Sequence, residues 1–220
     1  MRILLAAVLA ACGLALAPSQ AHAAPLDCPP NCDRIPDSAW IAAASIPLHD
    51  AYRWPPPATV AAPVVAPRFR LEDQCASPLV AGDQRAISVA ARAAATSPDG
   101  QWRLQAQVMH WRGEVWRGAE TAGEVFDAGV AALRRCHLTA PLNSPTLTTA
   151  EPTRLAAVVS APGGTVLHQY LLLDPRNSTI SELAMWSVGP ATVGWPSVAD
   201  DEVLDAMAIP LCTAYIDSCR

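Results

Sequence analysis

Cys28 and Cys32 stand four residues apart in DCPPNC. Such a pair can hold copper beside a histidine, cycle as a dithiol, or serve as two half-cystines. His49, His110, His137 and His168 fall in no motif with it, and dithiol chemistry favours Cys-x-x-Cys, so no metal site and no cofactor is expected. Cys136-His137 has the residue types of a nucleophile and its base. Neighbours on a helix, however, project about 100° apart, and Cys136 falls on an apolar stripe. Glu120, Glu124 and Asp127 share a helical face and could do acid-base work. A solvated face near a helix N-terminus accounts for them more simply. His110 and His168 lie in strand-like segments, where a core or rim histidine is the ordinary case. The groups best suited to binding are rings beside guanidinium groups: Trp111, Arg112, Trp116 and Arg117 in HWRGEVWRG, with Trp186 and Trp195 nearer the last helix. Amphipathic rings and arginines of this kind can line a ligand groove.

Several chemistries are disfavoured. The chain has no lysine, which removes Schiff-base, Ser-Lys and P-loop lysine mechanisms. No Gly-x-Ser-x-Gly, His-Glu-x-x-His, dinucleotide glycine pattern or EF-hand loop is present. The net charge of −5 and the scattered arginines argue against a nucleic-acid partner.

The first residues, MRILLAAVLAACGLALAPSQAHA, read as an export signal cleaved after Ala23. Leu9-Ala10-Ala11-Cys12 also fits a lipobox, which would make Cys12 the acylated residue. The apolar run falls short of the roughly 20 residues a transmembrane helix needs, and no better candidate follows, so no transmembrane segment is expected in the mature chain. Cleavage leaves Cys28, Cys32, Cys75, Cys136, Cys212 and Cys219, an even set that in an exported chain reads as three disulfides.

The elements that must position these groups follow from composition and period. Residues 24–75 are proline-rich and read as an extended arm, whose apolar residues lay it on the body. Residues 76–220 form the domain. RAISVAARAAAT and QWRLQAQVMHW flank the turn Ser97-Pro98-Asp99-Gly100 as a hairpin, and the alternation of the second run predicts one buried face. GAETAGEVFDAGVAALRRCHL switches to a helical period, with Thr121 and Glu124 spaced as a capping box. APLNSPTLTTAEPT reads as a loop. RLAAVVSA, TVLHQYLLL and TISELAMWSV read as strands, and a helix over about Asp200 to Ile216 closes the chain, kinked or split by Pro210. The expectation is α+β: an antiparallel sheet of about five strands with two helices packed on one face.

On a helix running through to Cys219, Cys212 and Cys219 are separated by about 10 Å, too far for one bond. Cys28 and Cys32 lie about as far apart on an extended path. Each pair therefore needs outside partners, which joins Cys28 and Cys32 to Cys212 and Cys219 in either order and leaves Cys75 to Cys136.

The export signal, the strand pair, AGEVFDAGVAALRRC ending a helix in a cysteine, the later strands and the closing helix resemble a mycobacterial group. They are similar to the extracellular sensor domain of a Ser/Thr protein kinase of the PknH type and its secreted relatives. The resemblance implies an α+β domain with a cleft for an envelope ligand and no enzymatic activity. The proline-rich arm, the terminal cysteine pairs and the lack of a kinase part depart from that group. The expected function is therefore that of a secreted or envelope-associated non-enzymatic protein binding a small or polymeric ligand or a partner protein. A secreted hydrolase with a His/carboxylate site is the alternative, and it would bring His110, His137 or His168 to a carboxylate.

Overall fold

The computed structural model describes residues 34–215. Its centre is a seven-stranded antiparallel sheet: β1 (Ala62–Pro63), β2 (Val89–Ala95), β3 (Trp102–His110), β4 (Ser144–Ala150), β5 (Arg154–Ala161), β6 (Thr165–Asp174) and β7 (Thr179–Ser187). The order across the sheet is β1-β2-β3-β7-β6-β5-β4. The helices are α1 (His49–Tyr52), α2 (Pro57–Val60), α3 (Arg70–Gln74), α4 (Val115–Arg134), α5 (Cys136–Thr139) and α6 (Asp200–Ala214).

The sheet exceeds the expected five strands at both edges. The segment read as a loop supplies β4, which pairs with β5 from Ser144 to Ala150 with an irregularity between Leu147 and Thr149. Its side chains are exposed or half-buried, so backbone pairing alone makes it a strand and its sequence carries no apolar alternation. At the other margin β1 is two residues long and ends in Pro63. The arm is not extended throughout. Between its prolines it winds into single helical turns, and Ile35, Ala39, Trp40, Ile41, Ile46 and Trp54 are buried on the sheet.

The two long helices do not share a face, which corrects the expected architecture. Trp102, Leu104, Ala106 and Val108 of β3 cluster with Val203, Leu204, Met207 and Leu211 of α6 and with the arm. Met109 on the opposite side of β3 clusters with Ala122, Val125, Phe126 and Leu133 of α4, and with Phe69 and Leu71. The sheet therefore lies between two layers, and β3 is buried on both sides. Glutamines 105 and 107, whose alternation predicted solvent, are 8% and 0% exposed.

Helix α4 begins at Val115, six residues before Thr121, so the expected capping box is interior to the helix and its N-cap, Glu114, makes no side-chain cap bond. The close approach of the first turn to the β6–β7 turn explains this start. A β-carbon at Gly118 would overlap Ser178 Oγ and lie 2.6 Å from Ser178 Cβ and 3.0 Å from Trp111 O. Ser178 Oγ donates to Val115 O at 3.0 Å, pinning the same turn. Gly118→Ala is expected to cost about 2–3 kcal/mol despite alanine's better helix propensity, from overpacking. Urea unfolding checks it, with Gly123→Ala, whose β-carbon meets nothing within 4 Å, as the neutral or stabilising control.

Cys75 and Cys136 form the expected disulfide across 61 residues. Cys212 is also disulfide-bonded. Cys28, Cys32 and Cys219 lie outside the described residues, as do the leader and Cys12. Pro210 is inside α6, which continues through it to Ala214. Among the described residues no helix is long and apolar enough to cross a membrane.

Candidate functional site

The six residues expected to bind a ligand are distributed over separate places. Trp111 is 3% exposed, and its Nε1 donates to Gln84 O at 3.0 Å, so it is a core residue. Arg112 is exposed beside it. Trp116 and Arg117 form an exposed pair on the first turn of α4, the guanidinium 4.8 Å from the ring centroid. Trp195 lies on the α6 side of the sheet, stacked on His168 with centroids 3.6 Å apart. Trp186 lies near the end of β7 on the opposite side, under the Arg70 guanidinium at 4.4 Å.

The place where chemistry concentrates is around Trp186. Strand registry sets Arg92 opposite Gln107, Gln107 opposite Glu182, and Arg103 opposite Trp186. Because side chains alternate along a strand, Arg92, Arg103, Gln105, Gln107, Glu182 and Trp186 share the α4 side of the sheet. The chain from Arg68 through α3 crosses this polar stripe as a strap. Arg70 N donates to Glu182 Oε1 at 2.6 Å, and Leu71 N donates to Gln169 Oε1 at 3.0 Å. Arg92 Nη2 donates to Arg68 O at 3.0 Å, and its Nε donates to Gln107 Oε1 at 2.8 Å. The strap is thus held by its backbone, which leaves the guanidinium groups of Arg68 and Arg70 partly exposed at the edge of the stripe. Sequence reasoning named Trp186 alone here. The glutamine, glutamate and arginine partners sit on five different elements, and strand registry together with the strap assembles them.

Glu182 is 1% exposed. Burial raises its carboxyl, while hydrogen bonds from Arg70 N, Gln105 and Gln169 pull the other way, leaving it pushed up to about 7. His168, on the far side, is brought down to about 4 by burial, with Asp200 opposing weakly. The two groups tilt stability in opposite senses. The raised Glu182 favours the protonated fold, so its contribution is present below pH 4.5 and is lost as pH rises to about 7. The lowered His168 favours the neutral fold, so its contribution is present above pH 6.5 and is lost as pH falls towards 4. Each amounts to about 3 kcal/mol on the scale of 1.36 kcal/mol per pKa unit. His110, lowered by burial and the nearby Arg112 charge, adds to the histidine slope. Relative to wild type, Glu182→Gln is expected to lose stability as pH falls from 7 to 4.5, and His168→Phe to gain it. Urea midpoints across that range read both slopes.

No histidine meets a carboxylate at hydrogen-bond distance among the described residues. His110 Nδ1 lies 3.1 Å from Thr179 Oγ1, with its ring stacked on Tyr215 at 4.6 Å. His137 Nδ1 lies 3.0 Å from Arg134 O on the surface. Asp200, the carboxylate nearest in effect to His168, is engaged by Tyr170 and by Thr149 Oγ1 at 3.1 Å. A cavity of about 360 Å³ lies where β3, the β6–β7 turn and α6 end, lined by His110, Val115, Asn177 and Tyr215 among others. Glu120, Glu124 and Asp127 remain on the outer side of α4, and no cluster of three or more metal-ligating side chains occurs among the described residues. Comparison with known protein families, with curated proteins and with solved structures finds no match for this chain.

Proposed function

We propose that this is a non-enzymatic extracytoplasmic protein that binds a small or polymeric envelope ligand through the arginine-lined corner at Trp186. The observation that carries the reading is that corner itself: the partly exposed Arg70 guanidinium lies over the Trp186 ring, Arg103 stands opposite Trp186 across β3 and β7, and among the described residues no histidine is hydrogen-bonded to a carboxylate. An oxidised Cys75–Cys136 bridge suits a compartment outside the cytosol. The resemblance to kinase sensor domains supports the same reading. A hydrolase would need an acid-base pair, and His110, His137 and His168 spend their polar atoms on hydroxyl or backbone partners or stack on aromatic rings.

The test is native mass spectrometry of the protein after incubation with a lipid and glycan extract of a mycobacterial envelope. A discrete adduct on the wild type that Arg103→Glu lacks is the expected result. Turnover of an extract component that His110→Gln or His168→Gln abolishes would overturn the reading in favour of the hydrolase.

A further inference from the structure

The corner around Trp186 is rich in hydrogen-bond donors and poor in acceptors. Arg68, Arg70 and Arg103 have side chains 23%, 28% and 26% exposed, so each guanidinium is partly removed from water. Burial lowers the pKa of the Arg70 guanidinium; the carboxylates of Asp73 and Glu182 oppose this, and Arg103 and Arg92 add to it as like charges. The compensating carboxylates are few. Asp73 serves both Arg68 and Arg70 at 3.6 Å and 3.7 Å, beyond hydrogen-bond distance, and Asp99 serves Arg103 at 2.9 Å. Arg92 forms no ion pair among the described residues; its guanidinium donates to Gln107 Oε1 and Arg68 O. Three buried donors in the cluster, Arg68 Nε, Arg70 Nε and Gln107 Nε2, have no acceptor. Gln107 is 0% exposed, so its free N–H is costly unless something supplies oxygen. Glu182, which accepts from Arg70 N, Gln105 and Gln169, does not meet that need, because Gln107 Nε2 has no partner within hydrogen-bond distance.

We propose that Arg70 and Arg103, beside Trp186, with the charge of Arg92 further along the same stripe, bind an oxyanion group of the ligand, a phosphate or a carboxylate. Guanidinium forks match such groups in geometry as well as charge, and partial burial strengthens the attraction while salt weakens it. Asp73 acts as the resident competitor: half-exposed and held only loosely, it stands where a stronger anion would be received.

This inference rests on the binding reading above, and its test separates the two. The protein is titrated at low ionic strength with inorganic phosphate, following the fluorescence of Trp186, with Trp186→Phe to assign the signal. A saturable response is expected, at least about 10-fold weaker in Arg103→Gln and about 3- to 10-fold tighter in Asp73→Asn, which removes the competitor. The gain in Asp73→Asn cannot come from misfolding, and it guards against reading an unfolded arginine variant as a lost site. A second arm uses vesicles of phosphatidylglycerol against phosphatidylcholine. Binding to the first alone, displaced by phosphate, identifies a lipid headgroup as the source, and phosphate binding without vesicle binding identifies a soluble one. No saturable response, or affinities unchanged in both variants, overturns the oxyanion site. An uncharged envelope adduct that Arg103→Glu abolishes would leave the binding reading standing and this inference refuted. Phosphate binding with no envelope adduct would do the reverse.

Discussion

Arg85→Met is expected to destabilise the protein by about 3–5 kcal/mol, the range for removing one partner of a buried ion pair. The guanidinium is 5% exposed and holds two carboxylates at once. It donates through Nη1 to Glu72 Oε2, through Nη2 to Glu72 Oε1 at 3.0 Å, and through Nε to Asp83 Oδ1 at 2.9 Å. Burial opposes the charge on Arg85, but Asp83 and Glu72 outweigh it and hold the proton more tightly than usual. Asp83 shows the reciprocal effect: burial pushes its carboxyl up, and the bonds from Arg85 bring it below the ordinary value. Methionine fills the volume and leaves Glu72, 4% exposed, as an uncompensated charge. Glu72 also accepts from Phe69 N at 2.8 Å, so the damage reaches the strap. Urea unfolding of Arg85→Met, Glu72→Gln and the double variant closes a double-mutant cycle. The double variant should recover part of the loss, since neutralising Glu72 removes the buried orphaned carboxylate and leaves only the more exposed Asp83 without its guanidinium. A single-variant loss below about 1 kcal/mol would place the pair among solvent-screened contacts.

The second large effect comes from the Cys75–Cys136 bridge. Its separation of 61 residues corresponds to about 4 kcal/mol in the chain-entropy account of a closed loop. Both half-cystines are 0% exposed, and Phe69 and Leu71 beside them are equally buried. The double variant Cys75→Ala, Cys136→Ala should therefore lose about 4 kcal/mol in urea. Hydrogen exchange should report the loss unevenly. Amides of Arg70 and Leu71, which reach Glu182 and Gln169, should gain exchange rate more than those of β6 and β7. Uniform acceleration across the sheet would mean that the bridge supports the whole domain and not the strap in particular.

How far the sequence foretold the molecule depends on where each signal resides. The helical stripe of α4, the hairpin of β2 and β3 and the Cys75–Cys136 pair were legible, because each is written in local period or cysteine arithmetic. The two-layered burial was available but missed: TVLHQYLLL in β6 shows little alternation, as expected of a strand covered on both sides. Gln105 and Gln107 misled because a polar residue in a strand ordinarily faces water. Here the strap covers them, and nothing near them in the chain announces a cover that begins more than 30 residues earlier. The start of α4 was hidden because Gly118 is required by its neighbour Ser178 and not by its own helix. The Trp186 corner could not be assembled from sequence for the same reason, since Arg92, Arg103 and Glu182 meet through strand registry and Arg70 joins them on the strap. Asn177, the acceptor of the formal glycosylation sequon Asn177-Ser178-Thr179, is 6% exposed and donates to Asp174 Oδ2 at 3.2 Å, which removes it as a glycan site in the folded protein.

The two outermost strands carry one further implication. An unpaired strand offers a row of free amides on which another copy can crystallise into a growing ribbon. Here one border is a dipeptide closed by Pro63, and the other is interrupted by Pro145 and by the slip between Leu147 and Thr149. Each border is a poor template for polymer growth, so the chain can be concentrated without lengthening its own sheet into fibrils.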